Sequence, residues 1–324
     1  MAKKEPQSCE TKFKTTCGGQ ALIEGIMMQG PDRRAVVVRK PDGEMDITTW
    51  DIKPRKKVWR LPFLRGIVTF GSAMYHGVKA LMYSADASGE MEVGDEELTG
   101  LDKWINEHFS EEKAASLLIA IAAVLGVAFS IGLFILLPTA ITGLIGLVWK
   151  TMPLWVRSVV EGAVKVAIFL AYLYLCSKTK DIHRVFEYHG AEHKTIYCYE
   201  NGLELTVENV RKQPRHHPRC GTSFLFVVIV VSIFLSIVIF TPLKIENTWL
   251  RMLLHLLLLP VIVGITYEFN RYVGGNDGPV CRFLRAPGMW MQNFTTFEPD
   301  DSMIEVGIEA LKQVLPKEKG ADRW

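Results

Sequence analysis

The residues whose types and spacing could perform chemistry lie in the polar segment EYHGAEHK, at positions 187–194. His189 and His193 are four residues apart, so on a helix both imidazoles lie on one face and can bind the same metal ion. The order HxxEH reverses the zincin motif, in which two histidines hold zinc and the glutamate accepts a proton from a bound water. The segment therefore predicts a divalent metal ion, with zinc preferred, held by His189 and His193, and it predicts Glu192 as the catalytic base. Glu187 is a further candidate in the same segment.

A second cluster, HHPRCGT at positions 216–222, precedes a long apolar run. His217 and Cys220 could complete the ligand set, because two histidines joined by a third imidazole or a thiolate suit zinc. The alternative interpretation is that His217 and Arg219 face phosphate groups at the level of lipid headgroups, while Cys220 is a packed thiol. The sequence leaves both interpretations open.

Two isolated acids are further candidates. Glu268 lies near the end of the last long apolar run, where it could be the downstream glutamate that reversed zincins use as a third ligand, or form an ion pair with Arg271. Glu24 is the one acid in the apolar run GGQALIEGIMM, at positions 18–28, whose glycines allow close approach of the backbone. Glu24 either reaches the metal cluster or pairs with an arginine, unless it is simply the solvent-facing acid of a strand.

Four segments are long and apolar enough to cross a membrane as helices of about 20 residues. They lie approximately at positions 114–137, 158–176, 222–240 and 250–269. The first is expected to end at Pro138, which leaves 139–149 as a re-entrant or interfacial piece too short to span. Glu161 and Lys165 are four residues apart and are expected to pair within the second helix. The alternative is a soluble protein with four buried helices, although the first and third segments contain no charged residue.

Lysine and arginine are concentrated on one side of these segments, which predicts the cytoplasmic side. The N-terminal region and the stretch 177–221 are rich in them, whereas the connections after the first and third segments offer two each. We therefore expect a multi-pass membrane protein with both termini and 177–221 in the cytoplasm. Residues 1–14 contain no apolar core of a signal peptide, so the first apolar helix would serve as the insertion signal. The six scattered cysteines are expected as free thiols.

The N-terminal residues 1–60 are expected to form a cytoplasmic region with a small antiparallel sheet. The segments AVVVR at 35–39 and EMDIT at 44–48 are predicted strands, and they flank Pro41-Asp42-Gly43, which are residues typical of a tight turn. The predicted fold is thus an α-helical integral membrane protein with about four transmembrane helices, a small β-containing region and an amphipathic helix.

The rest of the chain divides by composition. Residues 61–113 combine an amphipathic or interfacial helix with an acidic linker. Residues 114–269 form the four-helix transmembrane domain, whose central cytoplasmic loop is 177–221. Residues 270–324 form a cytoplasmic C-terminal tail with a short amphipathic helix at 305–315.

Several stretches of the chain are similar to motifs of a known family. They are GGQALIEGIMMQGP at 18–31, the segment from Leu64-Arg65-Gly66 to Ser84-Ala85, EYHGAEHKTI at 187–196, HPRCGTSF at 217–224 and APGMWMQNFTTFEPDD at 286–301. On these motifs the chain resembles the YqhQ-like family of bacterial integral-membrane proteins, from about Cys17 to Leu311. The family carries the label of predicted metal-dependent enzyme, so the resemblance implies a metal site and the bacterial cytoplasmic (inner) membrane. It implies no substrate.

The expected function is that of a membrane-embedded metal-dependent hydrolase, acting at the cytoplasmic face on a lipid-linked or peptide substrate. The alternative is a non-enzymatic membrane scaffold or partner-binding protein that the metal stabilises. A transporter is a weaker match, because four spans without evident inverted repeats differ from transporter folds. The expected partner is the lipid bilayer, a homo-oligomer is compatible with the sequence, and the sequence does not identify a protein partner. The net charge of +2 argues against nucleic acid.

Overall fold

The N-terminal part of the protein is a four-stranded antiparallel sheet in which consecutive strands are neighbours. The computed structural model describes residues 12–54, 56–89, 121–122, 124–318 and 320–324. The strands are β1 Gly18–Leu22, β2 Gly25–Gln29, β3 Arg33–Arg39 and β4 Met45–Asp51. The small antiparallel sheet predicted from the sequence is therefore confirmed.

The hairpin between β3 and β4 closes at the predicted turn residues. Lys40 N donates a hydrogen bond to Glu44 O, and Gly43 N donates one to Lys40 O, both over 2.9 Å. Gly43 has φ 88°, a left-handed conformation that glycine adopts at no steric cost.

The two faces of the sheet belong to different cores, because successive side chains of a strand point to opposite faces. One core contains the sheet residues Ile26, Met28, Ala35 and Val37. The other contains Leu22, Met27, Val36 and Val38, together with Ala80 from the helix that follows. The sheet is thus a layer with helices packed on both of its faces.

A short 3-10 helix, Lys57–Arg60, and nine longer helical elements follow the sheet within the part of the chain that the structure describes. The nine elements are α1 Leu64–Ala87, α2 Val124–Val148, α3 Leu154–Cys176, α4 Lys180–Glu200, α5 Val207–Arg211, α6 Gly221–Phe240, α7 Thr248–Gly275, α8 Pro279–Thr295 and α9 Asp301–Val314. Four of them, α2, α3, α6 and α7, are long and apolar enough to cross a membrane. The stretch 177–221, predicted as a loop, is mostly helical because it contains α4 and α5.

The first apolar helix does not end at Pro138. Residues 132–136 form a π turn, and α2 continues through Pro138 to Val148. A π turn changes the hydrogen-bond register just before the proline, which has no N–H to donate and would otherwise clash with the preceding turn. Thr139 Oγ1 donates a hydrogen bond to the carbonyl oxygen of Ile135 over 2.9 Å, so this carbonyl group has a polar partner. The interpretation of 139–149 as a separate re-entrant piece was therefore wrong, while 114–120 lie outside the described residues.

The chain divides into two compact units. The first unit comprises 1–91, 172–228 and 260–324, and the second comprises 92–171 and 229–259. The charge run at 90–97, predicted as the acidic linker within 61–113, lies outside the described residues.

A buried polar cluster lies inside the second unit. Glu161 accepts a hydrogen bond from Arg251 over 2.9 Å, and His255 Nε2 lies 2.6 Å from its other carboxylate oxygen. The guanidinium of Arg251 also lies 4.7 Å from the ring centre of Phe240. The predicted pair of Glu161 with Lys165 was wrong, since Lys165 donates to Ser232 Oγ over 3.3 Å. The Glu161 carboxylate thus contacts Arg251 and His255 of α7 instead of Lys165, which lies one turn away on its own helix.

Helix α9 holds α4 against the sheet in the first unit. Met303, Val306, Ala310, Leu311 and Val314 of α9 share one core with the sheet and with Tyr188, Ala191 and Ile196 of α4. The helices approach closely at Gly307, where a Cβ would lie 2.8 Å from Thr195 Oγ1. Asp300 caps α9 by accepting a hydrogen bond from Met303 N over 3.0 Å. The segment predicted as a C-terminal tail is thus folded, and its predicted amphipathic helix is confirmed with an earlier start.

Candidate metal centre

Helix α4 carries the predicted motif in its buried half. Asp181 in its first turn favours the start of the helix, and Gly202, with φ 63°, follows its end. His189, Glu192 and His193 lie at i, i+3 and i+4, so their side chains project from one face, as the spacing predicted.

Three side chains of the described residues meet at this face. The ligand atoms of His189, His193 and Cys220 all lie within 4.8 Å of one another, and His189 Nε2 lies 3.1 Å from Cys220 Sγ. In a tetrahedral zinc site, bond lengths near 2.0–2.3 Å place ligand atoms about 3.5 Å apart. The three atoms are therefore close to the spacing that one ion requires.

Both histidines are oriented by backbone carbonyl groups. His189 Nδ1 lies 2.8 Å from Thr295 O, and His193 Nδ1 lies 2.5 Å from Arg215 O. A carbonyl oxygen can only accept a hydrogen bond, so Nδ1 of each ring carries the proton and Nε2 presents a lone pair. Histidine ligands of metals are commonly held in this way, because the second hydrogen bond fixes both the tautomer and the ring.

A glycine allows this arrangement at His189. A Cβ on Gly190 would lie 2.0 Å from Phe297 O, so only glycine lets the chain after α8 approach α4 so closely. Phe297 N then donates to Phe186 O over 3.0 Å. This contact anchors the segment that follows α8, and it thereby keeps Thr295, the last residue of α8, beside the ring of His189.

The protonation states favour metal binding. Burial lowers the pKa of His193 to about 4, so its imidazole is neutral at neutral pH. Burial raises the pKa of Cys220, whereas the charge of a protonated His193 and hydrogen bonds from Thr222 lower it, and the net shift is downward. When His193 is neutral, the hydrogen bonds from Thr222 are the contacts that favour the thiolate. A neutral imidazole and a thiol that ionises readily are the forms that bind zinc.

Glu192 is buried beside the three candidate ligands. Gly19 N donates to its Oε1 over 2.9 Å, and burial raises the pKa of the Glu192 carboxyl to about 7. A Cβ on Gly19 would lie 2.6 Å from Met27 O and 3.2 Å from Glu192 Cδ, so the glycine permits the contact. The close backbone approach suggested by the glycines of 18–28 is thus a contact with Glu192.

His189, His193, Cys220 and Glu192 line a cavity of about 270 Å³. Its other walls include β1, the residues before it and one face of α1. The cavity gives a small molecule or a segment of a larger one access to the ligands.

His217 lines the same cavity without joining the ligand atoms. Its backbone N donates to Gln292 Oε1 over 2.7 Å, and its ring Nε2 lies 3.5 Å from Glu200 Oε2. Burial, followed by the charge of Arg219, holds the pKa of His217 well below its usual value. Arg219 forms an ion pair with the buried Glu200 and lies 5.6 Å from the ring of Trp324. His217 and Arg219 therefore belong to a buried polar network with Glu200, and the alternative in which they face lipid headgroups was wrong.

Glu268 is not brought to the ligands. Arg65 donates to it through two nitrogens, with 2.7 Å between Nε and Oε1, and Phe63 N donates to the same oxygen over 3.0 Å. The two helices meet where Gly66 lies against Tyr267, since a Cβ on Gly66 would lie 2.6 Å from Tyr267 Cβ. The suggested role of Glu268 as third ligand was wrong. Its hydrogen-bonding partner is Arg65, and the charge of Arg271 also acts on it.

Glu24 and Glu187 also lie elsewhere. Glu24 is in the turn between β1 and β2, where it forms an ion pair with Arg184, with 2.6 Å between Oε2 and Nη2, and accepts from Tyr188 over 3.1 Å. Of the alternatives predicted for Glu24, pairing with an arginine is therefore the one that is confirmed. Glu187 Oε1 lies 3.7 Å from His183 Nε2.

Several residues of the site escaped the sequence analysis. The carbonyl groups of Thr295 and Arg215 and the N–H of Gly19 leave no mark in a sequence, because every residue has them. Glu200 did leave a signal: it follows His193 by seven residues, on the same face of α4. Its partner Thr15 N donates to Glu200 Oε1 over 2.7 Å.

The fold and the site define a helical protein with four candidate membrane-spanning helices and a His/His/Cys cluster beside a buried glutamate. Residues 61–317 match the family described as "Protein of unknown function (DUF1385)", and the chain belongs to this family. It is 36% identical over 317 residues to "Uncharacterized protein YqhQ" of Bacillus subtilis (strain 168), an alignment that covers 94% of this chain and 93% of the relative. The resemblance to the YqhQ-like family is thereby confirmed. No solved structure matches the chain significantly.

Proposed function

We propose that the protein is a membrane-embedded metal-dependent hydrolase. One observation carries the proposal: two histidines and a cysteine converge on a cavity wall with Glu192 beside them. Three protein ligands leave a position for water, as in catalytic zinc sites, whereas structural sites are closed by four. The preferred ion is zinc.

The proposed location is the bacterial cytoplasmic membrane, with both termini in the cytoplasm. Four apolar helices support insertion. Arg157 and Arg251 are buried in α3 and α7, so the connections after α2 and α6 contain only Lys150 and Lys244 as basic residues. The positive charge of the first unit then indicates its cytoplasmic side. The site would act there on a lipid-linked or peptide substrate.

The chemistry follows from the positions of the side chains. A divalent ion held by His189, His193 and Cys220 would polarise a water and the bond to be cleaved. Glu192 would accept the proton of that water as its oxygen bonds to the substrate, and would return the proton to the leaving group. Gly19 N–H fixes the carboxylate for this transfer.

The alternative is a scaffold in which the ion is a structural staple. The hydrogen bonds of His189 and His193 to Thr295 O and Arg215 O favour it, because they tie α4 to two other segments, and an ion would add the segment that contains Cys220. In that case Glu192 would have no role in function.

Metal content and an open coordination position test the proposal. Full-length protein in detergent should hold about one equivalent of zinc in the wild type and in Glu192→Gln, and none in His193→Ala. In cobalt-substituted protein, azide should change the visible spectrum, since it would occupy the open position. A cobalt spectrum that azide leaves unchanged would favour the closed scaffold, and wild type without metal would remove both functions. If Glu192→Gln keeps its metal and loses the cellular phenotype, the hydrolase is favoured.

A further inference from the structure

A short segment before α1 exposes basic and apolar side chains together. Residues 56–61, which we call the basic turn, include the 3-10 helix described above. Its apolar side chains have exposed fractions of 59%, 46% and 52%, in the order Val58, Trp59 and Leu61. Its other side chains are basic and also exposed, namely Lys56, Lys57 and Arg60. Exposed apolar and basic groups in alternation are unusual on a surface that faces only water.

The sequence around the basic turn is strongly positive. Positions 53–65 contain six lysines and arginines, and positions 52–85 contain no aspartate or glutamate. Arg65 forms an ion pair with Glu268 of α7. The charge of the basic turn is therefore not balanced by acids nearby in the sequence, and it favours an anionic ligand.

Contacts with α7 place the entry to α1 beside a candidate membrane span. A Cβ on Gly264 would lie 2.5 Å from the ring of Phe63. A Cβ on Gly66 would lie 2.6 Å from Tyr267 Cβ, so both segments advance by three residues between the two contacts and run in the same direction. Gly264 precedes the charged Glu268 by four residues, or about 6 Å along the apolar part of α7. Interfacial segments bury their apolar side chains to about this depth, 5–10 Å, in a bilayer.

A strained residue fixes the basic turn at this place. Phe63 has φ 70°, a left-handed conformation that is rare for a bulky side chain. Its N–H donates to Glu268 Oε1 over 3.0 Å, and Arg65 N donates to Leu61 O over 2.9 Å. Strained residues persist only where surrounding contacts hold them, and they cluster at binding sites and switch regions. The exposed side chains are thus positioned before any ligand binds.

We propose that the basic turn binds anionic phospholipid headgroups of the bilayer that α7 spans. This role rests on the membrane location proposed above and is independent of hydrolysis. Lysines and arginines next to a spanning helix attract anionic headgroups, while exposed apolar side chains such as Trp59 enter the boundary between headgroups and acyl chains. An acidic soluble partner would match the charge, but it would not explain apolar side chains beside the apolar part of α7.

Lipid binding to the full-length protein in detergent tests this inference. Native mass spectrometry titrates phosphatidylglycerol and phosphatidylcholine, with the same acyl chains, into wild type and Lys57→Gln/Arg60→Gln. We expect wild type to prefer phosphatidylglycerol. The double variant should bind phosphatidylglycerol about ten-fold more weakly, because it lacks two charges near the headgroup, and should bind phosphatidylcholine as wild type does.

The matched control is Lys312→Gln/Lys317→Gln. It also removes two exposed positive charges, but they lie in and after α9, which packs on the other face of the sheet from α1. The control should bind phosphatidylglycerol like wild type. Equal phosphatidylglycerol affinity in wild type and Lys57→Gln/Arg60→Gln would overturn the inference, and so would an equal loss in the control.

Hydrogen–deuterium exchange of wild type in lipid nanodiscs keeps the test decisive if the double variant fails to fold. The amides of the basic turn should exchange more slowly with phosphatidylglycerol in the bilayer than with phosphatidylcholine alone. The difference should vanish in about 1 M salt, where the Debye length is about 3 Å. Equal exchange in the two lipids at low salt would overturn the inference.

Zinc content and detergent dependence separate this inference from the proposed function. The described walls of the metal cavity include no residue of the basic turn, so Lys57→Gln/Arg60→Gln should keep the zinc content of wild type. Wild type with zinc but without a lipid preference would overturn the lipid site and leave the hydrolase standing. A lipid preference in protein that takes up no zinc would do the reverse. Protein that is monodisperse without detergent would remove the membrane location and the lipid site together.

Discussion

His189 Nε2 and Cys220 Sγ lie 3.1 Å apart although 31 residues separate them in the chain. The contact joins the middle of α4 to the residue before α6. It uses the ring nitrogen that the carbonyl of Thr295 leaves without a proton, since that carbonyl holds the proton on Nδ1. An ion that replaces the thiol proton would therefore find both ligands already oriented.

His193→Ala is expected to abolish zinc binding, because it removes one of the three proposed ligands. Wild type should be stabilised by about 2.7 kcal/mol when free zinc is at 100 times its dissociation constant, and the variant should not respond. His183→Ala is the matched control, since His183 is on the same helix and stacks on Phe297 with ring centres 4.0 Å apart, outside the ligand set. Thermal unfolding with and without zinc measures this, and equal stabilisation of His193→Ala would contradict the site.

Cys220 should be alkylated faster than Cys17 and Cys198 in metal-free protein. Burial raises the pKa of both comparison thiols to about 11, so at pH 8 only about one molecule in a thousand carries the thiolate. The pKa of Cys220 is shifted the other way. Iodoacetamide labelling followed by peptide mass spectrometry gives the three rates as a function of pH.

The labelling of Cys220 should also stop when zinc is added. Labelling of Cys17 and Cys198 should rise about ten-fold per pH unit and ignore zinc, while that of Cys220 levels off at lower pH. Equal rates at all three cysteines, or a Cys220 rate that zinc does not change, would count against a thiolate ligand.

Gly190→Ala is expected to weaken zinc binding and to destabilise the protein by about 1–3 kcal/mol through overpacking. The added Cβ would lie 2.0 Å from Phe297 O, so the segment from Thr295 must move away from His189. Gly221→Ala is the matched control: it lies next to Cys220, and its Cβ would meet nothing within 4 Å. Zinc titration and thermal unfolding of both variants check this, and identical behaviour of the two would refute the role of Gly190.

Glu161→Gln is expected to destabilise the second unit by about 3 kcal/mol, because Arg251 would keep its charge in a buried place without its carboxylate. Glu208→Gln removes an exposed carboxylate that lies 2.6 Å from Lys212 Nζ and should leave the unfolding temperature unchanged. Thermal unfolding in detergent measures the stability of the two variants against that of the wild type. Zinc content should be normal in both variants, since the cluster of Glu161 lies outside the candidate metal centre.

The part of the site that lies on one helix could be predicted from the sequence. His189, Glu192 and His193 share a face because the helical period places i, i+3 and i+4 together. Cys220 could also be predicted, because it precedes an apolar helix on the same predicted side of the membrane as the two histidines. The carbonyls of Thr295 and Arg215 could not be predicted, because they depend on tertiary packing and not on residue type.

The wrong predictions share a physical cause. Glu268 was assigned by its distance along the chain, but Arg65 on α1 supplies two donors nearby, and a paired carboxylate has no reason to reach a metal. Pro138 was predicted to end the helix because proline has no N–H to donate, whereas the π turn before it lets α2 continue. In both cases a partner or an adjustment outside the local pattern decided the outcome.

The hydrogen bond between His189 and Thr295 has a consequence for biosynthesis. The ribosome adds Thr295 106 residues after His189, when all four long apolar helices have already been made. Until then the imidazole lacks this acceptor, and its proton can move between the two nitrogens. A nascent chain should therefore hold an ion more weakly than the finished protein, and a chain stalled before Thr295 should lose its metal to cellular chelators. Metal retention would then report that translation has been completed and that the last helices have docked.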